Sequence, residues 1–91
     1  MSDSVFLRLS DRDIRKVLRE LDAEDLGWFM LDEPAAVKDA IIRNFSKRDL
    51  ESFRCAEEVI GRDNIERLTE GRERVLRVVQ ALAEQGEITL S

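Results

Sequence analysis

The chain of 91 residues has no histidine and no tyrosine, and it has one cysteine and one proline. Without histidine, it lacks the side chain that most often serves as a general base or a metal ligand. Cys55 has no imidazole to activate it and no second cysteine to pair with, so we expect a reducing compartment. The four glycines are scattered and form no phosphate-binding loop. The sequence therefore predicts no enzyme, no metal site and no other cofactor.

Two further absences concern the setting in which the chain acts. No apolar run approaches the ~18 residues of a membrane span, and no signal-peptide pattern is present. Acidic residues number 20 and basic residues 15, a net charge of −5, whereas a nucleic-acid-binding surface needs a basic surplus. We therefore expect a soluble, cytoplasmic protein with no direct membrane insertion and no nucleic acid. Since no catalytic chemistry is predicted, we also expect no small-molecule substrate.

Charged and aliphatic residues at helical spacing make up most of the chain. Charged residues are 38% and hydrophobic residues 43% of the sequence, a mixture typical of amphipathic helices. A chain of this length forms one domain, which we assign to residues 1–91. The apolar spacing and the capping residues predict five helices, which begin at Ser10, Ala23, Pro34, Ser46 and Asn64 or Ile65. Five helices joined by short turns predict an all-α fold, either a bundle or a short helical-repeat module, that ends in one long helix.

Particular residues mark the predicted helix boundaries. Asp13, three residues after Ser10, stands at the distance of a capping box, and Asp22 can cap the second helix. Gly61 is expected to end the fourth helix in a left-handed conformation, and Gly86 to stop the fifth. Gly71 lies inside the fifth helix, where it costs about 1 kcal/mol relative to alanine, and it predicts a break there. Ion pairs between residues four apart are expected in that helix at Glu70–Arg74 and Glu73–Arg77.

The segment from Asn44 to Arg48 combines the end of one helix with the start of the next. Asn44 can close the third helix, and Ser46 can cap the fourth, with Asp49 able to reach back. A charged stripe follows on the fourth helix, formed by Lys47, Arg48, Glu51 and Arg54. Two interpretations stay open: a solvated helix face with an internal Lys47–Glu51 pair, or a surface that contacts a partner.

Trp28 is the only tryptophan, and it falls off the apolar face of the second helix, near Leu31. It either packs into a secondary cluster or anchors a protein partner, because buried tryptophans contribute strongly to interface energies. The candidate partner-binding residues are therefore Trp28 and Leu31 in addition to Lys47, Arg48, Glu51 and Arg54.

Several segments, taken in order, resemble the C-terminal domain of the bacterial flagellar motor switch protein FliG. They are residues 9–14, 22–26, 42–48 and 82–88, together with Arg54 and Gly61. The most specific element is Arg-Asn-Phe-Ser-Lys-Arg at residues 43–48, followed at the matching distance by Leu-Ala-Glu-Gln-Gly-Glu-Ile at residues 82–88. The resemblance extends without gaps from about residue 6 to residue 90.

The resemblance implies an armadillo-like helical domain on the cytoplasmic ring of the flagellar rotor, at the cytoplasmic face of the inner membrane. In the family, a ridge of charged residues on the helix after the Asn-x-Ser turn contacts a cytoplasmic loop of the stator. The implied partners of this chain are therefore that loop or other rotor and switch proteins. The chain starts after the hinge and middle domain of the family, so a free-standing protein of this kind would lack the parts that attach to the ring.

The chain departs from the family pattern in the charged ridge. Of five ridge charges, the resemblance preserves one, Arg48, and the other positions fall on Leu31, Cys55, Ala56 and Asn64. Two functions follow as hypotheses. The chain is a rotor or switch component that acts through Arg48 and its neighbours, or it is a divergent interaction module that no longer transmits torque. In the second case Leu31, Trp28 and Cys55 would form a more apolar patch.

Overall fold

A computed structural model describes residues 5–61 and 63–90, and most of these residues lie in helices. A short 3-10 helix, Val5–Arg8, precedes five α-helices, which are α1 Asp11–Arg19, α2 Ala23–Met30, α3 Ala35–Ile42, α4 Lys47–Glu57 and α5 Ile65–Glu84. These two ranges contain no β-strand. The prediction of an all-α fold that ends in one long helix is confirmed. The predicted domain of residues 1–91 also includes residues 1–4, 62 and 91, which lie outside the described residues.

Side-chain caps start three of the helices where the sequence predicts them. The hydroxyl of Ser10 accepts a hydrogen bond from the backbone N–H of Asp13 at 3.2 Å, at the start of α1. Ser46 and Asp49 form a complete capping box at the start of α4, with both hydrogen bonds between 3.0 and 3.1 Å. The side chain of Asn64 caps α5 in the same manner. Each cap satisfies an N–H group that has no partner inside its helix.

Three boundary predictions are wrong in detail. Asp22 occupies the cap position of α2, but its side chain makes no cap hydrogen bond. Pro34 precedes α3 as its cap, with an extended ψ of 158°, instead of forming its first residue. Helix α4 ends at Glu57, before Gly61, because the chain tightens there into hydrogen bonds between residues three apart, such as that from the N–H of Val59. Among the described glycines only Gly86 has a positive φ, of 75°, so the left-handed conformation predicted for Gly61 is not found.

Helix α2 is the central element, because it packs against both α4 and α5. All five residues from Leu26 to Met30 are buried, so this short helix has no solvated face along that stretch. A helix that is apolar all round is covered on more than one side. Other helices bury one face each, and the fully buried side chains outside α2 are Phe6, Ile14, Val17, Val37, Ile41 and Val75.

Gly71 is buried inside a continuous α5, so the predicted break at this residue is wrong. A Cβ atom at this position would lie 2.7 Å from the Cβ of Trp28 and 3.3 Å from the backbone oxygen of Asp25. Both atoms belong to α2. Gly71 therefore lets α2 and α5 approach each other closely, and this approach explains a glycine in the interior of a helix despite its low helix propensity.

Ion pairs flank this close approach of α2 and α5. Arg67 Nη2 lies 2.9 Å from Glu24 Oε1, and Arg74 Nε lies 3.0 Å from Asp25 Oδ2. Arg67 also pairs with Glu70, at 3.1 Å. The two pairs predicted within α5, Glu70–Arg74 and Glu73–Arg77, are not formed within residues 63–90. Arg67 and Arg74 are instead engaged across the helix interface, since α2 presents the acidic residues of its first turn to them.

The segment after α5 folds back along α1. The N–H of Thr89 donates to Asp13 Oδ2 at 3.1 Å, and Lys16 Nζ donates to the carbonyl oxygen of Glu87 at 2.8 Å. Ile88, between them, is 4% exposed and belongs to the core. The carboxylate of Asp13 thus binds the segment after α5. It makes no hydrogen bond back to Ser10, so α1 starts with a single side-chain cap, whereas α4 starts with a full capping box.

None of the helices described is both long enough and apolar enough to cross a lipid bilayer.

We predict that Gly71→Ala lowers the free energy of unfolding by about 1–2 kcal/mol, as measured by urea denaturation. Helix propensity alone favours alanine by about 1 kcal/mol. Overpacking costs about 1–3 kcal/mol, and the upper part of that range applies because the Cβ of Trp28 cannot rotate away. Gln80→Ala, at an exposed position of the same helix, is the matched control and should change stability little. A Gly71→Ala protein as stable as the wild type would contradict the close packing.

Candidate protein-contact surface

The connection between α3 and α4 is tied to the start of α1 by one carboxylate. Asp11 Oδ1 accepts hydrogen bonds from Arg43 Nη2 at 2.9 Å, from Arg43 Nε at 3.1 Å and from Asn44 Nδ2 at 3.1 Å. Asn44 Nδ2 also donates to the carbonyl oxygen of Ala40 at 2.8 Å. That carbonyl lies in the last turn of α3, where carbonyl groups lack intrahelical partners. Asn44 therefore closes α3, as its position in the sequence predicts.

These contacts hold the pKa of Asp11 below its ordinary value. The hydrogen bond from Asn44 is the largest cause, and the hydrogen bond from Arg43 is the next. Both donors stabilise the charged carboxylate. Asp11 and Arg43 are exposed, so the network acts through its geometry at least as much as through its charge, which water screens.

Helix α4 is fixed at its start from two directions. The capping box of Ser46 and Asp49 sets the direction in which the helix leaves the connection. Phe45 lies just before the cap and packs against Phe53 on the inner side of α4, with ring centroids 5.5 Å apart. Phe53 is buried and reaches the main core. The exposed side of α4 is thus mounted on a packed inner side.

The charged stripe occupies that exposed side. All four of its residues are exposed: Lys47, Arg48, Glu51 and Arg54. They span about 120° of the helix circumference, and their centre lies roughly opposite Phe53. Cys55 is exposed and falls between Arg48 and Glu51 around the helix. We refer to these five residues as the α4 face.

Trp28 lies in the interior and not beside the α4 face. It is 3% exposed and lies against Gly71 of α5. Its Nε1 donates a hydrogen bond to Oε1 of Glu24, on the same helix, at 3.4 Å. The guanidinium of Arg67 lies 5.7 Å from the ring centroid, a cation–π distance. This position corresponds to the packed-cluster alternative for Trp28. An apolar patch that joins Trp28 to Leu31 and Cys55 is absent from the described surface, since Trp28 is covered by α5.

Glu24 and Arg67, which both contact the buried Trp28, shift each other's pKa. The pKa of Glu24 is lowered, first by the hydrogen bond from Trp28 and then by that from Arg67. The pKa of Arg67 is raised, chiefly by its hydrogen bond to Glu24. Both groups therefore stay charged around neutral pH, and their charges are used within the fold.

Leu31 follows the end of α2 and is half-buried at the edge of a groove. The groove lies between α2, α3 and α4 and has a volume of about 320 Å³. Its lining includes Ile42, which is 38% exposed, and the charged residues Lys38 and Glu57. Sequence reasoning missed this groove because its residues come from three helices. The one signal for it was Gly27, a glycine in the middle of an otherwise apolar helix.

Two consequences follow for the chemistry of this surface. No cluster of three or more histidine, cysteine, aspartate or glutamate residues capable of holding a metal ion occurs in residues 5–61 and 63–90. The α4 face carries three basic groups and one carboxylate on a rigid mount, with the groove beside it. Such a surface can contact another protein through exposed charge and through one apolar recess.

Comparisons with known proteins agree with the resemblance found in the sequence. The model of the FliG C-terminal domain family matches residues 3–90. The flagellar motor switch protein FliG of Thermotoga maritima is 31% identical over 85 residues, which are 93% of this chain and 25% of that protein. The protein of the same name from Borreliella burgdorferi is 31% identical over 83 residues, or 91% and 24% of the two chains. The chain thus spans about a quarter of the length of the curated relatives it matches.

We predict that Asp11→Asn weakens the fold most at neutral pH. Because the pKa of Asp11 is lowered in the folded chain, its contribution to stability is present above the ordinary value of 3.8 and disappears as the pH falls through the lowered pKa. The difference in free energy of unfolding between wild type and variant, measured by urea denaturation, should therefore shrink on acidification below 3.8.

The matched control is Asp39→Asn on α3. Asp39 is exposed, and its carboxylate makes no hydrogen bond or ion pair with any residue that the structure describes. We expect this substitution to change stability less than Asp11→Asn at neutral pH. A difference between wild type and Asp11→Asn that stays constant through the acidic range would contradict the role given to Asp11.

Proposed function

The chain belongs to the FliG C-terminal domain family, and from that premise we propose that it is a component of a flagellar motor switch. The observation that carries the proposal is the family match over residues 3–90. The exposed α4 face supports it, because the resemblance implies that the family's charged ridge includes this helix. In this proposal the domain comprises residues 1–91, contacts protein partners and performs no catalysis. It acts in the cytoplasm, at the inner face of the membrane.

The partner we propose is the cytoplasmic loop of the stator, or another rotor or switch protein. Exposed charges on a fixed support suit a contact that forms and breaks repeatedly, because long-range attraction speeds encounter while each exposed ion pair adds little to binding. The proposed contact residues are the stripe of Lys47, Arg48, Glu51 and Arg54, with Leu31 at the neighbouring groove. Trp28 is left out of this surface because it is buried.

The mounting of the α4 face supports a role in transmitting force. Asp11 links α1 to the connection before α4, and Phe53 links the inner side of α4 to the core. The backbone of α4 is therefore held by contacts on its inner side and at its start, and a force applied to it reaches the packed helices. Arg48 stands on the first turn of α4, between the two residues of the capping box, Ser46 and Asp49.

One observation favours a second candidate function. Leu31, Cys55 and Ala56 stand where the resemblance places ridge charges, so the surface has less charge than the family pattern implies. A divergent interaction module that binds a protein without transmitting torque would use the same scaffold with this more apolar surface. The two functions differ in whether the charge of Arg48 is needed.

We predict that Arg48→Asp impairs swimming or reversal of rotation in cells that carry it as their only copy of this chain. The substitution reverses the one preserved ridge charge while leaving an exposed position exposed, so the fold should persist. Arg77→Asp makes the same change at an exposed position of α5 and is the matched control. Motility would be scored in soft agar and by tethered-cell rotation. Normal motility both in Arg48→Asp cells and in deletion cells would refute the motor role.

The second candidate predicts a different pair of results. Arg48→Asp should then leave motility unchanged, while Leu31→Lys should lower the recovery of a partner that co-purifies with the wild-type chain. Leu76→Lys is the control, since Leu76 is a 45% exposed leucine on α5, outside the groove. Equal recovery with Leu31→Lys and Leu76→Lys would count against an interaction module that uses Leu31.

A further inference from the structure

The groove beside the α4 face is open and apolar at its base. Its volume is about 320 Å³, and its floor is formed by side chains of α2 and α4, including Met30 and Phe53, which are 3% and 7% exposed. Ile42 at the end of α3 remains 38% exposed at its edge. The groove therefore offers a recess large enough for a leucine or phenylalanine side chain, with apolar contacts on more than one side.

Gly27 gives this groove its shape. A Cβ atom at Gly27 would collide with Cδ1 of Ile60 and would lie 3.6 Å from Phe53 Cε1. The absence of a side chain at Gly27 lets Ile60, which follows α4, pack against α2 and line the recess. The groove is thus a consequence of how α2 and the end of α4 pack, and not a gap left by small surface residues.

Two opposite charges stand on the lining, Lys38 from α3 and Glu57 from α4. Neither makes an ion pair or a side-chain hydrogen bond with a residue in the described ranges. By contrast, Arg67, Arg74 and Arg43 are all paired within the fold. Lys38 and Glu57 are therefore available to charges of a partner, and their opposite signs would orient that partner.

We propose that this groove binds a protein segment that inserts one bulky apolar side chain between Leu31 and Ile42. The segment carries an acidic residue toward Lys38 and a basic residue toward Glu57. The apolar side chain supplies most of the affinity because it is the part that becomes fully buried. The charge pair fixes the direction in which the segment lies.

The inference deepens the proposed function by naming the chemistry of a partner at the Leu31 end of the contact surface. It rests on the proposed function only in treating this surface as a protein-contact surface. Recognition in the groove depends on an apolar side chain, whereas the α4 face depends on exposed charge, so the two can be separated by substitution.

The test is a selection of random peptides, displayed on phage, against the purified chain. Enriched peptides should share a bulky apolar residue with an acidic residue on one side and a basic residue on the other. One enriched peptide, synthesised with a fluorophore, should bind the wild-type chain and lose at least about tenfold in affinity for Ile42→Asp. Its affinity for Leu76→Asp, the matched change at an exposed leucine of α5, should be unchanged.

A charge exchange gives an independent readout. In the double variant Lys38→Glu, Glu57→Lys the apolar recess is kept and the two charges are exchanged. The enriched peptide should lose affinity for this variant, and a peptide with its own two charges exchanged should recover it. Backbone amide shifts on binding should centre on Gly27, Leu31 and Ile42 rather than on α5.

Several outcomes would overturn the proposal. They are the enrichment of peptides without a shared apolar residue, no enrichment at all, or equal affinity for Ile42→Asp and wild type. Concentration-dependent dimerisation of the wild type that Ile42→Asp abolishes would show a second copy of the chain as the occupant instead. Failure here would leave the motility result with Arg48→Asp untouched, because no motor protein takes part in the peptide experiment.

Discussion

The close approach of α2 and α5 at Gly71 is the contact on which the rest of the structure depends. With hydrogen in place of a side chain, Gly71 lets α5 press against Trp28 and the backbone of Asp25. That leaves the opposite part of α2, around Gly27, free to receive α4 and Ile60. One short helix is thereby covered on two sides, and it positions α4 relative to the long last helix. Moving α2 outward by the width of a methyl group would displace both the α4 face and the floor of the groove.

The second constraint is local to the connection between α3 and α4. Asn44 and Arg43 converge on Asp11, and the capping box of Ser46 and Asp49 starts the next helix immediately afterwards. This connection fixes the direction of α4, while α2 fixes its depth. Together they hold the exposed charges of α4 on a helix that is packed on its inner side and capped at its start. In the proposed contact, the groove adds selection for an apolar side chain, which exposed charge alone cannot provide.

Sequence reasoning reached the parts of this structure that depend on neighbours in the chain. The caps of α1 and α4, the start of α5 near Asn64 and the role of Asn44 all follow from residues that are close together in the sequence. It wrongly predicted a helix break at Gly71 and left open whether Trp28 is buried or contacts a partner. The environment of each residue depends on a helix more than forty residues away in the sequence. The groove was missed for the same reason, since Leu31, Ile42 and Glu57 meet only after three helices have packed.

The most direct test of the central proposal, that the α4 face contacts proteins of the flagellar motor, is photo-crosslinking in living cells. A photoreactive amino acid would replace Glu51, which is exposed beside Arg48, and in a parallel strain would replace Gln80, which is exposed on α5. The account predicts that the residue at position 51 forms a covalent adduct with a stator or switch protein and that the residue at position 80 does not. Adducts with the same proteins from both positions, or with no motor protein from position 51, would contradict it.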